Sequence, residues 1–92
     1  MIKIDDSYKN VVVSSGTLRD KGIINNVKDF NNILRNITLT ILIEDFELGF
    51  GDYVVNDIFE YLNKIAPDGY YFGNKHRDGA LFGFWEYPAQ RK

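Results

Sequence analysis

The chain has 92 residues, 13 acidic and 11 basic side chains, a formal net charge of −2 and no cysteine. That is one domain's worth of polypeptide, since a single core usually needs about 100 residues, and 45% hydrophobic with 26% charged residues is the composition of a folded protein rather than a disordered one. Without cysteine there is no disulfide framework, thiolate metal site or thiol nucleophile; a reducing cytoplasm fits best, and the start Met1-Ile2-Lys3-Ile4-Asp5-Asp6 lacks the apolar run of a signal peptide.

Residues 10–14 contain three consecutive valines and read as a strand, because β-branched side chains suit a pleated surface. After the turn at Ser14-Ser15-Gly16-Thr17, Asp20 is placed to cap a helix running to about Arg35. Its apolar positions Ile23, Ile24, Val27, Phe30, Ile33 and Leu34 recur at helical spacing. The opposite side, with Asn25, Asn26, Lys28, Asn31 and Asn32, reads as plain solvated surface. Residues 37–43 alternate apolar side chains with Thr38 and Thr40, which suits a strand, yet the segment is too short to separate a strand from a buried helix. Residues 46–51 hold two glycines and read as a loop, followed by a helix capped by Asp52, carrying the stripe Val54, Val55, Ile58, Phe59, Leu62 and Ile65, and ended by Pro67. Glu60 precedes Lys64 in the order that favours a helical ion pair.

The last third predicts a β-hairpin: Tyr70-Tyr71-Phe72-Gly73 and the run from Leu81 to Tyr87, joined by a polar, basic tip. Seven of the 14 aromatic residues lie here, so rings occupy both faces, and Gly73 and Gly83 suggest a bulge or a close backbone approach. Alternation alone does not pick the buried face; Tyr70, Phe72, Phe82 and Phe84 are candidates to pack on the helices, and Tyr71, Trp85 and Tyr87 are candidates for the outer face, where they fit a partner or a second copy in a homodimer. The expected fold is α+β, with two helices packed on one face of a small antiparallel sheet that includes the C-terminal aromatic hairpin.

Charge is unevenly placed: residues 36–63 carry six acidic side chains (Glu44, Asp45, Glu47, Asp52, Asp57, Glu60) and none basic. The block reads either as a solvated face or as a surface that docks on a basic protein. The tip residues Lys75, His76 and Arg77, beside exposed rings, offer a nucleic-acid reading by stacking and phosphate contact. His76 with Asp78 as its orienting carboxylate is the remaining enzymatic option, although a hairpin tip is usually too exposed to perturb a pKa. There is no nucleophile elbow, phosphate-binding glycine loop or zinc spacing; a non-enzymatic chain without metal or cofactor is the expectation.

Ala66-Pro67-Asp68-Gly69-Tyr70-Tyr71-Phe72-Gly73, with Ala80-Leu81-Phe82-Gly83-Phe84-Trp85 six residues later, resembles the C-terminal signature APEGYYFGAHPGDGADFGFW of a family of small proteins, about 100 residues long, carried by phages, plasmids and integrative elements. Ser14-Ser15-Gly16-Thr17-Leu18-Arg19 resembles the SHGTLR motif of the same proteins; residues 37–50 are unmatched and shorter than the acidic, helical middle of related members. The family's two histidines fall here on Lys75 and Ser15. The resemblance implies a mobile-element accessory protein. By analogy with other small acidic proteins of such elements, it implies an inhibitor that binds a host or phage protein, namely a host defence nuclease of the CRISPR or restriction type.

Overall fold

The computed structural model describes residues 3–49, 52–75 and 78–88 of the chain. A short 3-10 turn at Asp6–Tyr8 precedes β1 (Val12–Ser14), α1 (Asp20–Leu34), α2 (Ile37–Glu47), α3 (Asp52–Ile65), β2 (Tyr70–Lys75) and β3 (Asp78–Glu86). The strands form one antiparallel sheet in the order β1-β3-β2. α1 and α3 cover the same face of it: Phe30 of α1 meets Phe84, and Phe59 of α3 meets Phe72 and Phe82, with ring centroids 5.8 Å apart in each pair. This is the expected α+β arrangement with a C-terminal hairpin, but it holds a third helix. Residues 37–43 belong to α2, which packs mainly on α3 and α1. None of the described helices is long and apolar enough to cross a membrane.

The hairpin fixes which rings are inside. Phe72 pairs with Phe84 and Tyr71 with Trp85, so Phe72, Phe82 and Phe84 point at the helices and are buried, joined there by the half-buried Tyr70. Asn63 of α3 accepts a hydrogen bond from the Phe72 N–H at 3.1 Å, which covers a donor on the free edge of β2. Gly83 is the close approach anticipated from sequence: a Cβ there would run into the carbonyl oxygen of Val11 and stand 2.8 Å from the Trp85 ring. The strand irregularities lie elsewhere, between Asn74 and Lys75 and between Val12 and Ser14.

Why residues 37–47 are helical follows from the corner that precedes them. Arg35 takes a left-handed conformation (φ 57°) and its N–H returns to the Asn31 carbonyl, a helix-ending geometry. Asn36 then caps α2, its side chain accepting from the Leu39 N–H at 3.0 Å. Leu39 and Ile43 are buried four residues apart, with Leu42 and Phe46 half-buried beside them, which is helical periodicity. Tertiary burial thus overrides the local strand preference of the Ile and Thr side chains. Helix geometry also extends into the segment read as a loop, to Glu47.

Asn31 corrects the reading of α1's polar side. It is 7% exposed; its carbonyl oxygen accepts from the Asn36 N–H at 2.9 Å, and its amide donates to Thr40 Oγ1 at 2.7 Å. Asn36 Oδ1 also accepts from the Tyr61 hydroxyl at 2.9 Å, so one polar network joins α1, α2 and α3. Asp20 is the first residue of α1 rather than its cap, where its charge still suits the helix dipole. Glu60 and Lys64 form no ion pair; the end of α3 is held instead by Lys3, whose ammonium donates to the carbonyls of Lys64 and Ala66.

Two stability predictions follow from these contacts. Gly83→Ala should destabilise by about 1–3 kcal/mol through overpacking, whereas Gly73→Ala, whose Cβ would rest 3.4 Å from the Tyr71 ring, should melt near the parent temperature. Asn31→Ala should cost about 1–3 kcal/mol because the part-buried Asn36 N–H and Thr40 hydroxyl lose their partner, and Asn32→Ala, on an exposed position, should stay within about 0.5 kcal/mol. Chemical denaturation of the four variants checks both.

Candidate binding surfaces

The outer face of the sheet is the first candidate. Tyr71, Trp85 and Tyr87 share it, which decides the face that alternation left open, but the three rings are not equally available. Trp85 is only 7% exposed. Its ring lies over Gly83, its indole N–H donates to the Gly73 carbonyl at 2.9 Å, and the Lys75 ammonium stands 5.1 Å from its centroid. Trp85 therefore closes a small layer on the glycines instead of offering itself to a partner, which corrects its assignment as an outward contact. Tyr71 is half-buried, its hydroxyl donating to the Asn74 carbonyl, and it packs on Tyr87 with ring centroids 5.2 Å apart. Tyr87, 54% exposed, is the ring on this face that a partner can reach.

The hairpin tip is the second candidate. Lys75 is exposed, but its cation is engaged with the Trp85 ring. His76 and Arg77 lie outside the described residues, as does the Asp78 side chain, so neither the nucleic-acid set nor the His76 and Asp78 pair has a described geometry. Among the described residues no group of three or more His, Asp or Glu side chains could hold a metal ion.

The acidic block divides between helices. Glu44 and Glu47 are exposed on α2 and Asp45 is half-buried, while Asp57 and Glu60 are exposed on α3. Glu47 is tied to α1: its carboxylate accepts from the Lys28 ammonium at 2.7 Å. That hydrogen bond and the charge of Glu47 hold the Lys28 pKa above its ordinary value. Glu44 makes no ion pair among the described residues, although its charge adds to the rise of the Lys28 pKa, and it lines a groove between α1 and α2 with Lys28, Asn31, Asn32, Thr40, Ile43 and Glu47.

Sequence reasoning missed what accompanies these carboxylates. Ile37 is 77% exposed, Ile41 53% and Leu48, the residue that ends α2, 74%. With 3.6 residues per turn, Ile37, Ile41, Glu44 and Leu48 fall within about 60° of one another, on the side of α2 opposite Leu39, Ile43 and Phe46. The outward stripe of α2 is thus three large aliphatic side chains around one exposed carboxylate that makes no ion pair among the described residues. The signal was present in the spacing of residues 37, 41 and 48, but it becomes visible only once the segment is known to be a helix.

Comparison of the chain with protein-family models, with curated proteins and with solved structures finds no match. The division of labour on the sheet is directly testable. Trp85→Ala should cost about 3–5 kcal/mol, whereas Tyr87→Ala should leave the melting temperature nearly unchanged; calorimetry of the two variants decides whether Trp85 is architecture.

Proposed function

We propose that this chain is a non-enzymatic, cytoplasmic protein-binding module from a phage or other mobile element, which inhibits a host defence nuclease of the CRISPR or restriction type. The observation that supports the reading most is the outward stripe of α2, where Ile37, Ile41 and Leu48 surround Glu44 on a segment without a basic side chain. Clustered carboxylates steer a protein toward positive partners, and exposed aliphatics supply contact area once it arrives. Nucleases present basic surfaces because they must neutralise phosphates, so an acidic, apolar-centred face is suited to covering one. The C-terminal resemblance to mobile-element proteins agrees with such an origin. The nucleic-acid reading draws less support, since Lys75 is engaged with Trp85 and Trp85 is buried.

The reading is tested by expressing the chain in bacteria that carry an active CRISPR or restriction system and counting phage plaques. Plaque numbers should rise with the parent chain and fall back to the uninhibited level when Glu44, Asp45, Glu47 and Asp57 are all changed to lysine in a variant that still folds. Full inhibition by that variant, or no protection by the parent against a panel of such systems, contradicts the reading.

A further inference from the structure

Accepting that the chain is a protein-binding module, we infer the chemistry of the surface that covers α2: an apolar cleft that carries a lysine or arginine opposite Glu44. The stripe from Ile37 to Leu48 spans twelve residues, roughly 16 Å of helix at 1.5 Å per residue step, and its anchors sit at i, i+4 and i+11. That is the pattern by which a helix lays its apolar side into a groove. Large aliphatics that stay more than half exposed on a helix already packed through its other side are not completing this chain's own core.

The charge at the centre of the stripe selects the occupant. Two copies of this chain meeting α2 against α2 about a two-fold axis would bring Glu44, Asp45 and Glu47 of each toward the same set on the other, and α2 supplies no cation to relieve them. The nearest cation, Lys28 of α1, is already paired with Glu47 at 2.7 Å. A second copy is therefore disfavoured, and a positive side chain from a different protein is favoured. It would pair with Glu44 at the mouth of the groove between α1 and α2, whose lining also holds Thr40, Asn32 and the Lys28–Glu47 pair. The helix is also fixed before docking, by the Asn36 cap, by the bond from Asn31 to Thr40 and by the Lys28–Glu47 pair. Little ordering entropy is then lost on association.

The test uses a probe of defined chemistry and needs no identified partner. The full chain, labelled with nitrogen-15, is titrated with a synthetic amphipathic helical peptide of leucine and lysine, and in parallel with its leucine and glutamate counterpart. The lysine peptide should shift amide signals of α2 selectively and the glutamate peptide should not. Ile41→Asp should weaken lysine-peptide binding about tenfold or more, and Glu44→Lys should reverse the preference between the peptides. Leu48→Asp serves in place of Ile41→Asp if the latter loses its dispersed spectrum. The inference is overturned if the lysine peptide leaves α2 unshifted, if both peptides bind alike, or if the chain sediments as a dimer that Ile41→Asp dissociates. The peptide result does not depend on which protein is inhibited. A chain that binds the lysine peptide through α2 yet protects no phage leaves this inference standing and removes the nuclease reading, and the opposite outcome does the reverse.

Discussion

The carboxamide of Asn31 holds the arrangement on which the rest of this molecule depends. One side chain accepts from the Asn36 N–H and donates to the Thr40 hydroxyl, so the backbone reverses direction between α1 and α2 while its polar groups remain satisfied inside the protein. A buried amide of this kind contributes little net energy when paired but is costly when a partner is missing, which makes it a device of geometry. Through Asn36 the same network reaches Tyr61 of α3. It thereby sets which side of α2 meets the core and which side faces water.

The second constraint is that a chain of 92 residues has little interior to share among 14 aromatic rings. The structure resolves this by using both faces of its sheet unequally. Phe72, Phe82 and Phe84 complete the core beneath α1 and α3, while Trp85 lies on the other face, where Gly83 leaves room for the indole and the Gly73 carbonyl accepts its N–H. Gly83 matters there for the space it leaves. Of the apolar side chains that stay in water, Ile37, Ile41 and Leu48 share one side of α2 with Glu44, while Leu18, Ile33 and Tyr53 are exposed elsewhere.

How much could be read from the sequence depended on whether an element's signal was local. The limits of α1 and α3 and the hairpin were legible because helical periodicity, the Pro67 stop and the Asp68-Gly69 turn are encoded in neighbouring residues, whereas the inward ring set was not, because rings occupy both faces of the hairpin. α2 was not, because Ile and Thr in alternation favour a strand locally and the helix is fixed by contacts with Asn31 and Tyr61, five or more positions away. The role of Asn31 was hidden for the same reason: an asparagine on the polar side of a helix looks solvated until the chain turns back over it. Among the proposed contact residues, the carboxylates Glu44, Asp45, Glu47 and Asp57 were visible as a charge block, while Ile37 and Ile41 fell in a segment left open between strand and buried helix and Leu48 in one read as a loop. Trp85 was a candidate for the correct face but not recognised as covered, since no sequence rule reports that a ring lies on a glycine two residues before it.

The central claim is that α2 exists as a fixed helix in the free chain, held from Asn31, with its apolar stripe open to solvent. Amide hydrogen exchange on the isolated protein tests it most directly. The account predicts that the Ile43 and Phe46 amides of α2 are protected to a degree comparable with those of α3, and that Asn31→Ala raises exchange in α2 far more than in the hairpin. Exchange of α2 at the rate of an unstructured segment in the parent chain, or unchanged protection in Asn31→Ala, would contradict it.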